Sequence, residues 1–263
     1  MKKLIMAAAA ITAGFAMADV VSSDIVGYTT KATLSSGNVM VAGSFKAVAG
    51  SNNQFTLADI KGAGYSAEDG AWGELALQVL DAFGNVATDK DSGLKKIYTW
   101  HDNEDEGTGW FDFDGETQWA GSTAFDAGQS FWVQGEGISI TDAGAVNTNQ
   151  VAVGTPASGN VAIGNPYPKA ITLADISVSG YNEEDGAWGE LALQVLDSFG
   201  NVAVDEETGL KKIYTWHDNE DEGTGWFDFD GETKWPDTTS FDVGQGFWVQ
   251  GEGFTVEFTY PKN

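Results

Sequence analysis

The sequence predicts an all-β protein made of two tandem, near-identical β-sandwich-like repeats with short strands and acidic hairpin loops. Three observations carry this. Trp72, His101, Trp110, Phe125 and Trp132 recur 116 positions later as Trp188, His217, Trp226, Phe241 and Trp248, the mark of an internal duplication. Short aromatic and β-branched runs alternate with Gly, Asn and Asp turns throughout both copies. The differences between copies fall where loops are expected, as in "SAED" against "NEED" and "TDKDSG" against "VDEETG".

In chain order, residues 1–18 read as an export signal. Lys2 and Lys3 precede an apolar run from Leu4 to Phe15, and Ala16-Met17-Ala18 ends it with small residues. The run is too short for a comfortable membrane span. A secreted or cell-surface protein with no membrane insertion is expected, its signal cleaved. Residues 19–36 form an N-terminal strand segment, and residues 37–141 the first β repeat. Residues 142–158 read as a linker with partial order, and residues 159–263 as the second repeat. "GNVMVAG" at Gly37 answers "GNVAIGN" at Gly159.

Within each copy, "ELALQVL" is short and runs into the turn "DAFGN", so it reads as strand despite its helical propensity. "KKIYTW" and "GWFDF" flank a polar, glycine-bearing loop and read as a hairpin. "NVMVAG", "FTLADI", "QSFWVQ" and "ISIT" supply further strands. A single outer-membrane barrel is the competing architecture. It needs strands of about ten residues in strict alternation, which "LALQVL" and "KIYTW" break.

Composition excludes several partners. The formal charge is −26 and every one of the 13 basic residues is lysine. Nucleic acid and anionic membrane surfaces need basic patches, and bidentate arginine recognition of phosphate is not available. The chain has no cysteine. No disulfide framework supports an exported fold, so the core must be apolar.

The stretch "YTWHDNEDEGTGWFDFDGE" stands unchanged at Tyr98–Glu116 and Tyr214–Glu232. Its carboxylates Asp102, Glu104, Asp105 and Glu106, with Asp218, Glu220, Asp221 and Glu222 in the second copy, are candidate calcium ligands. Clustered carboxylates repel unless water separates them or a hard cation bridges them. The register of the helix-loop-helix calcium loop fails, because its twelfth position falls on Phe113. A solvated acidic loop is the alternative. Zinc is disfavoured, with one histidine and no cysteine per copy. No residue pattern singles out a catalytic pair or triad, so no enzyme is expected.

Trp72 and Trp119, with Trp188 and Trp235, sit in glycine-rich acidic loops and are expected to face solvent. There they could stack on sugar rings, with Asp, Asn and Gln bonding the hydroxyls. Trp100 and Trp132 read as core. The segment "SDIVGYTT", through Ile25, Val26 and Tyr28, either completes its own domain or adds to a neighbouring molecule's sheet. Two functions follow as expectations. One is a non-enzymatic extracellular structural or surface-assembly protein whose partner is itself. The other is a tandem glycan-binding protein whose partner is a polysaccharide.

Overall fold

The computed structural model describes residues 26–33, 37–47, 54–182, 186–218, 221 and 223–262. Residues 1–18, read above as an export signal, and Ile25, Glu220 and Glu222 lie outside the described residues. The fold is all-β with several sheets, and helix is confined to two single 3-10 turns among the described residues. No helix there is long and apolar enough to cross a membrane.

The first copy holds β1 (Val26–Lys31), β2 (Asn38–Ala42), β3 (Phe45–Lys46), β4 (Gln54–Thr56), β5 (Ile60–Ala63) and β6 (Ala71–Gln78). It continues with β7 (Ile97–Asn103), β8 (Gly107–Phe111), β9 (Ala124–Asp126), β10 (Ser130–Gly135) and β11 (Ser139–Val146). Then follow β12 (Val151–Gly154), β13 (Asn160–Gly164), β14 (Ile171–Thr172), β15 (Ile176–Ser179) and β16 (Ala187–Gln194). The chain ends with β17 (Ile213–Asp218), β18 (Gly225–Phe227), β19 (Ser240–Phe241), β20 (Gly246–Gln250) and β21 (Thr255–Phe258).

Two five-stranded sheets have corresponding orders, β2-β10-β6-β7-β8 and β13-β20-β16-β17-β18. The expected strand "ELALQVL" lies in β6. Its inward residues Leu75 and Leu77 are fully buried, and alternate residues face out, the period-2 pattern of a half-buried strand. "FTLADI" is not one strand. The Asp59 carboxylate accepts bonds from Thr56 N at 2.8 Å and Thr56 Oγ1 at 2.7 Å. That local alternative to the ladder turns Leu57–Asp59 into a 3-10 turn between β4 and β5.

The shorter sheets place the segments outside the repeats. β1 pairs antiparallel with β11 along its whole length, Val26 opposite Ala145 and Thr29 opposite Asp142. β12 pairs in the same manner with β21, Val151 opposite Phe258. The strand of Val26 and Tyr28 thus has its partner within the chain and is not a free strand awaiting a neighbour. The segment 142–158 carries the end of β11 and all of β12, so most of it is sheet and not a loose connection.

Each copy has its own apolar cluster. Phe55, Phe125, Phe131 and Tyr98 meet edge-on or tilted in the first. Tyr214, Phe241, Phe247 and Trp226 belong to the second, which also takes in Ala127. Trp100 is buried as expected, against Trp110 at 5.1 Å.

The copies meet along the edges β2 and β13. Asn38 N donates to Ser198 O at 2.9 Å, and Asn160 N to Ala82 O at 2.8 Å. Ala42 N donates to Gly244 O, and Gly164 N to Gly128 O, both at 2.9 Å. The turns that supply Ala82 and Ser198 are built by Asp81 and Asp197, whose carboxylates accept two backbone N–H bonds each at 2.9 Å.

Candidate functional site

The twice-written stretch is a hairpin, with Thr99 opposite Phe111 and Trp100 opposite Trp110. Its strands run further than the aromatic residues suggest. β7 extends to Asn103 and β8 starts at Gly107, leaving only Glu104–Glu106 as the turn. Of the four carboxylates only Asp102 stands on a strand, and the other three belong to the turn. Asp102 accepts from Thr108 Oγ1 at 2.6 Å and from the Tyr65 hydroxyl. The Thr108 bond, then that of Tyr65, holds its carboxyl below the usual carboxylate range. Glu106 instead turns to His101, its carboxylate against Nδ1. Glu104 and Asp105 stand exposed in the turn.

Glu106 is thus turned away from the other three, which border one depression. Among the described residues no group of three or more His, Cys, Asp or Glu is placed to hold a metal ion. In the second copy Asp218 accepts from Thr224 Oγ1 at 2.6 Å, and Asp221 lies in the turn.

On the other face the hairpin builds a recess. The ladder between β6 and β7 passes from Trp72 opposite His101 to Ala76 opposite Thr99, a bulge at Gly73. Gly73 has φ +88°, and a Cβ there would lie 3.1 Å from His101 Nε2. Gly115, φ +74°, also borders this ring, leaving 3.2 Å to Cε1. His101 is thus a packing residue set against two glycines and tilted on Phe111 at 4.9 Å.

The bulge throws Trp72 outward. It is 50 % exposed, its Nε1 donates to Asp69 O at 2.8 Å and its backbone N to Glu74 Oε2. The indole edge is pinned and its face is left open. Across the recess stands Phe113, 71 % exposed. Strand β8 ends at Phe111, and Asp112 Oδ1 accepts from Glu116 N at 2.9 Å and Thr117 N at 3.2 Å. This turn presents Phe113 to solvent, whereas simple alternation would put it beside buried Phe111.

Between the two rings lies a depression of about 430 Å³ whose polar lining includes Glu74, Gln78, Thr99, Asp114, Gln134 and Glu136. Every residue lining it recurs 116 positions later as the same type. There Trp188 and Phe229 are 55 % and 70 % exposed. The other side of Trp72 faces a second depression of about 690 Å³, acidic through Glu68, Asp69, Asp102, Glu104 and Asp105 and closed by Tyr65. A third, of about 480 Å³, lies where the copies meet. It is mainly aliphatic, with Val79, Leu80, Val151, Val153, Val161 and Ile163, and no exposed tryptophan lines it.

The other two candidate tryptophans are not surface platforms. Trp119 N bonds Trp110 O at 2.8 Å, and Gln118 bridges Phe111. The "GETQW" segment therefore pairs with the edge of β8, which turns the indole inward. Its Nε1 donates to Ile97 O at 3.2 Å and its ring lies 5.0 Å from Tyr98. Trp235 repeats this on Ile213 O and Tyr214 and is buried.

Sequence reasoning missed Phe113, Glu74 and Gln134 as neighbours of Trp72. The available signal was the outward phase of Glu74 and Gln134 on paired strands, but the pairing of β6 with β10 joins residues far apart in sequence. No family model, curated protein or solved structure matches the chain.

Proposed function

We propose that the chain is an exported, non-enzymatic glycan-binding protein, its two near-identical copies each folded as a β-sandwich carrying one shallow aromatic site. The observation that carries this is the pair of exposed rings, Trp72 and Phe113, on either side of a depression lined by carboxylates and amides. A sugar ring has an apolar face for an indole to stack on and hydroxyls for Glu74, Gln78, Gln134 and Glu136 to bond. Trp72 is fixed by its edge bond to Asp69 O, so little rotamer freedom is lost on binding.

The lining carries carboxylates and no lysine in either copy. Neutral or amine-bearing sugars suit it, and uronate or sulfate polymers would be repelled. Two equal sites in one chain gain on an extended polymer through effective concentration, provided both can be reached at once. The non-enzymatic part of the reading rests on the engagement of the acids, with Asp102, Glu106 and Asp112 each committed to a turn or a neighbouring side chain.

The test is a glycan array followed by calorimetry with the best soluble oligosaccharide. Binding by the native chain, weakened in Trp72→Ala and in Trp188→Ala and lost in the double variant, supports the reading. Binding to no glycan, or binding indifferent to both substitutions, ends it.

One observation favours surface assembly as the second reading. β1 is paired on one edge only among the described residues, and Val26 and Tyr28 stand out from its face, strongly exposed. An open edge beside apolar side chains is a template for a further strand. Calcium belongs to this reading alone, as a bridge between acidic loops of neighbouring molecules. Light scattering across a concentration series, with and without calcium, and with Tyr28→Lys as control, decides it; monomers throughout reject it.

A further inference from the structure

The contact between the copies is almost self-complementary. Each link occurs twice with roles exchanged: Asn38 to Ser198 and Asn160 to Ala82, Ala42 to Gly244 and Gly164 to Gly128. Val41 bridges Gln245, and Ile163 bridges Gln129. Trp248 packs near Gly84 and Trp132 near Gly200, each 3.8 Å from where a Cβ would stand. This is the pattern of a two-fold, isologous interface, made here within one chain.

It departs from symmetry at its centre. Gly164 stands where the first copy has Ala42, and a Cβ on Gly164 would lie 2.8 Å from the Ala42 Cβ across the seam, besides crowding Gln245 O of its own copy at 2.3 Å. Gly246 stands where the first copy has Ser130, and a Cβ there would lie 2.4 Å from Met40 Cγ. Met40 in turn corresponds to Ala162. The second copy thus has smaller residues where the first copy carries larger ones. Two first copies would set Ala42 against Ala42 and Ser130 against Met40, too close for packed atoms. Two second copies would face glycine to glycine and leave space unfilled, forfeiting contacts. Only the unlike pair fits.

We propose that this seam is a heterotypic recognition surface: the second copy takes a first copy, of its own chain or of another chain when the connection between them opens, in preference to its own kind. The partner it fits is therefore a second molecule of this chain with its halves exchanged. The connection is placed to permit this, since Thr148, Asn149 and Gln150 are exposed. The inference does not depend on any glycan, because the seam and the Trp72 recess are separate places on the fold.

The experiment uses the full chain with a protease site inserted in the exposed Thr148–Gln150 connection. After cleavage, the halves are expected to co-elute on size exclusion at the mass of the uncut chain. Mixing isotope-labelled and unlabelled cleaved protein is expected to yield labelled–unlabelled hybrids, all of one first and one second half. Gly164→Val is expected to weaken the halves' association roughly tenfold or more, and adding Ala42→Gly to recover part of it. Hydrogen exchange on the uncut Gly164→Val chain gives a readout that cleavage cannot spoil: the Asn38, Ala42 and Asn160 amides lose protection while Leu77 and Leu193 keep theirs. Like pairs as abundant as unlike pairs overturn the proposal. So does separation of the unsubstituted halves, or seam amides indifferent to Gly164→Val.

Discussion

Lys31 and Asp142 form a buried ion pair, Nζ to Oδ2 3.5 Å, at positions that Val153 and Phe258 hold in the second copy. The correspondence follows from the register, Thr29 opposite Asp142 in β1–β11 and Val151 opposite Phe258 in β12–β21. A third residue changes with them. Ser44 N donates to Asp142 Oδ2 at 2.7 Å, and its counterpart is Pro166, which has no N–H to satisfy. The two copies thus solve one packing problem with a polar and an apolar triad. Desolvation pushes Lys31 down and Asp142 up from their ordinary values, the direction expected where burial works against both charges.

The triads predict a mutational pattern. Asp142→Phe alone strands the Lys31 ammonium and the Ser44 N–H, and should cost about 3–5 kcal/mol. The triple change Lys31→Val, Ser44→Pro, Asp142→Phe copies the apolar solution and should recover most of that, ending within about 1–2 kcal/mol of the native chain or above it. Chemical denaturation with a core-tryptophan probe measures both. A triple variant as unstable as the single one contradicts the correspondence.

The tryptophans divide into two kinds, and stability should separate them. Trp110 is buried and its Nε1 donates to Leu57 O at 3.1 Å and Ile60 O at 2.9 Å. Trp110→Ala opens a cavity and orphans two carbonyls, at about 3–5 kcal/mol. Trp72→Ala removes a half-exposed ring and should cost under about 1 kcal/mol. If Trp72→Ala unfolds the chain, it is a packing residue and its loss cannot serve as a binding test.

Acid should act in two opposing ways. Protonating exposed carboxylates relieves the self-repulsion of a chain at −26, so melting temperature should rise on mild acidification or added salt. The Asp81 and Asp197 carboxyls are held below their usual range, first by the N–H groups of Phe83 and Phe199. A depressed folded-state pKa means stability that is present above the unfolded value and lost as pH falls through the folded one. Below about pH 4 the melting temperature should therefore drop, and these turns, which reach across to Asn160 and Asn38, should loosen first. The double variant Asp81→Ala, Asp197→Ala should be less stable at neutral pH and show a shallower acid limb. An identical limb would dissociate these turns from the acid response.

What the sequence discloses and what it hides differ by contact range. The hairpin at Tyr98–Glu116 is legible because its strands, turn and glycines are contiguous. β6 is legible as strand because "DAFGN" stops it before a helix could repay its nucleation. The inward turn of Trp119 is not, since its glycine and acid neighbours signal a loop while its pairing with β8 does not show in the local pattern. The partner of β1 lies more than a hundred residues downstream, so local reading leaves open whether the strand completes its own domain or a neighbour's sheet. The carboxylates of Asp102–Glu106 look like one cluster on paper because a string of letters does not show that Thr108 and Tyr65 take up Asp102 while Glu106 turns to His101.

Gly73 and His101 give the sharpest test of the recess itself. Gly73 carries φ +88°, a region other residues enter at a cost, and its missing Cβ leaves the room that His101 Nε2 fills. Gly73→Ala should therefore lose about 1–3 kcal/mol through backbone strain and a displaced ring together. His101→Ala removes the ring and should lose its own packing against Phe111. The steric part of the first loss should then disappear in the double variant, leaving only the backbone part. A double-mutant cycle by urea denaturation is expected to show the two changes costing less together than their separate losses imply. Strict additivity would mean that the glycine is there for its dihedral alone and that His101 does not hold the bulge open beneath Trp72.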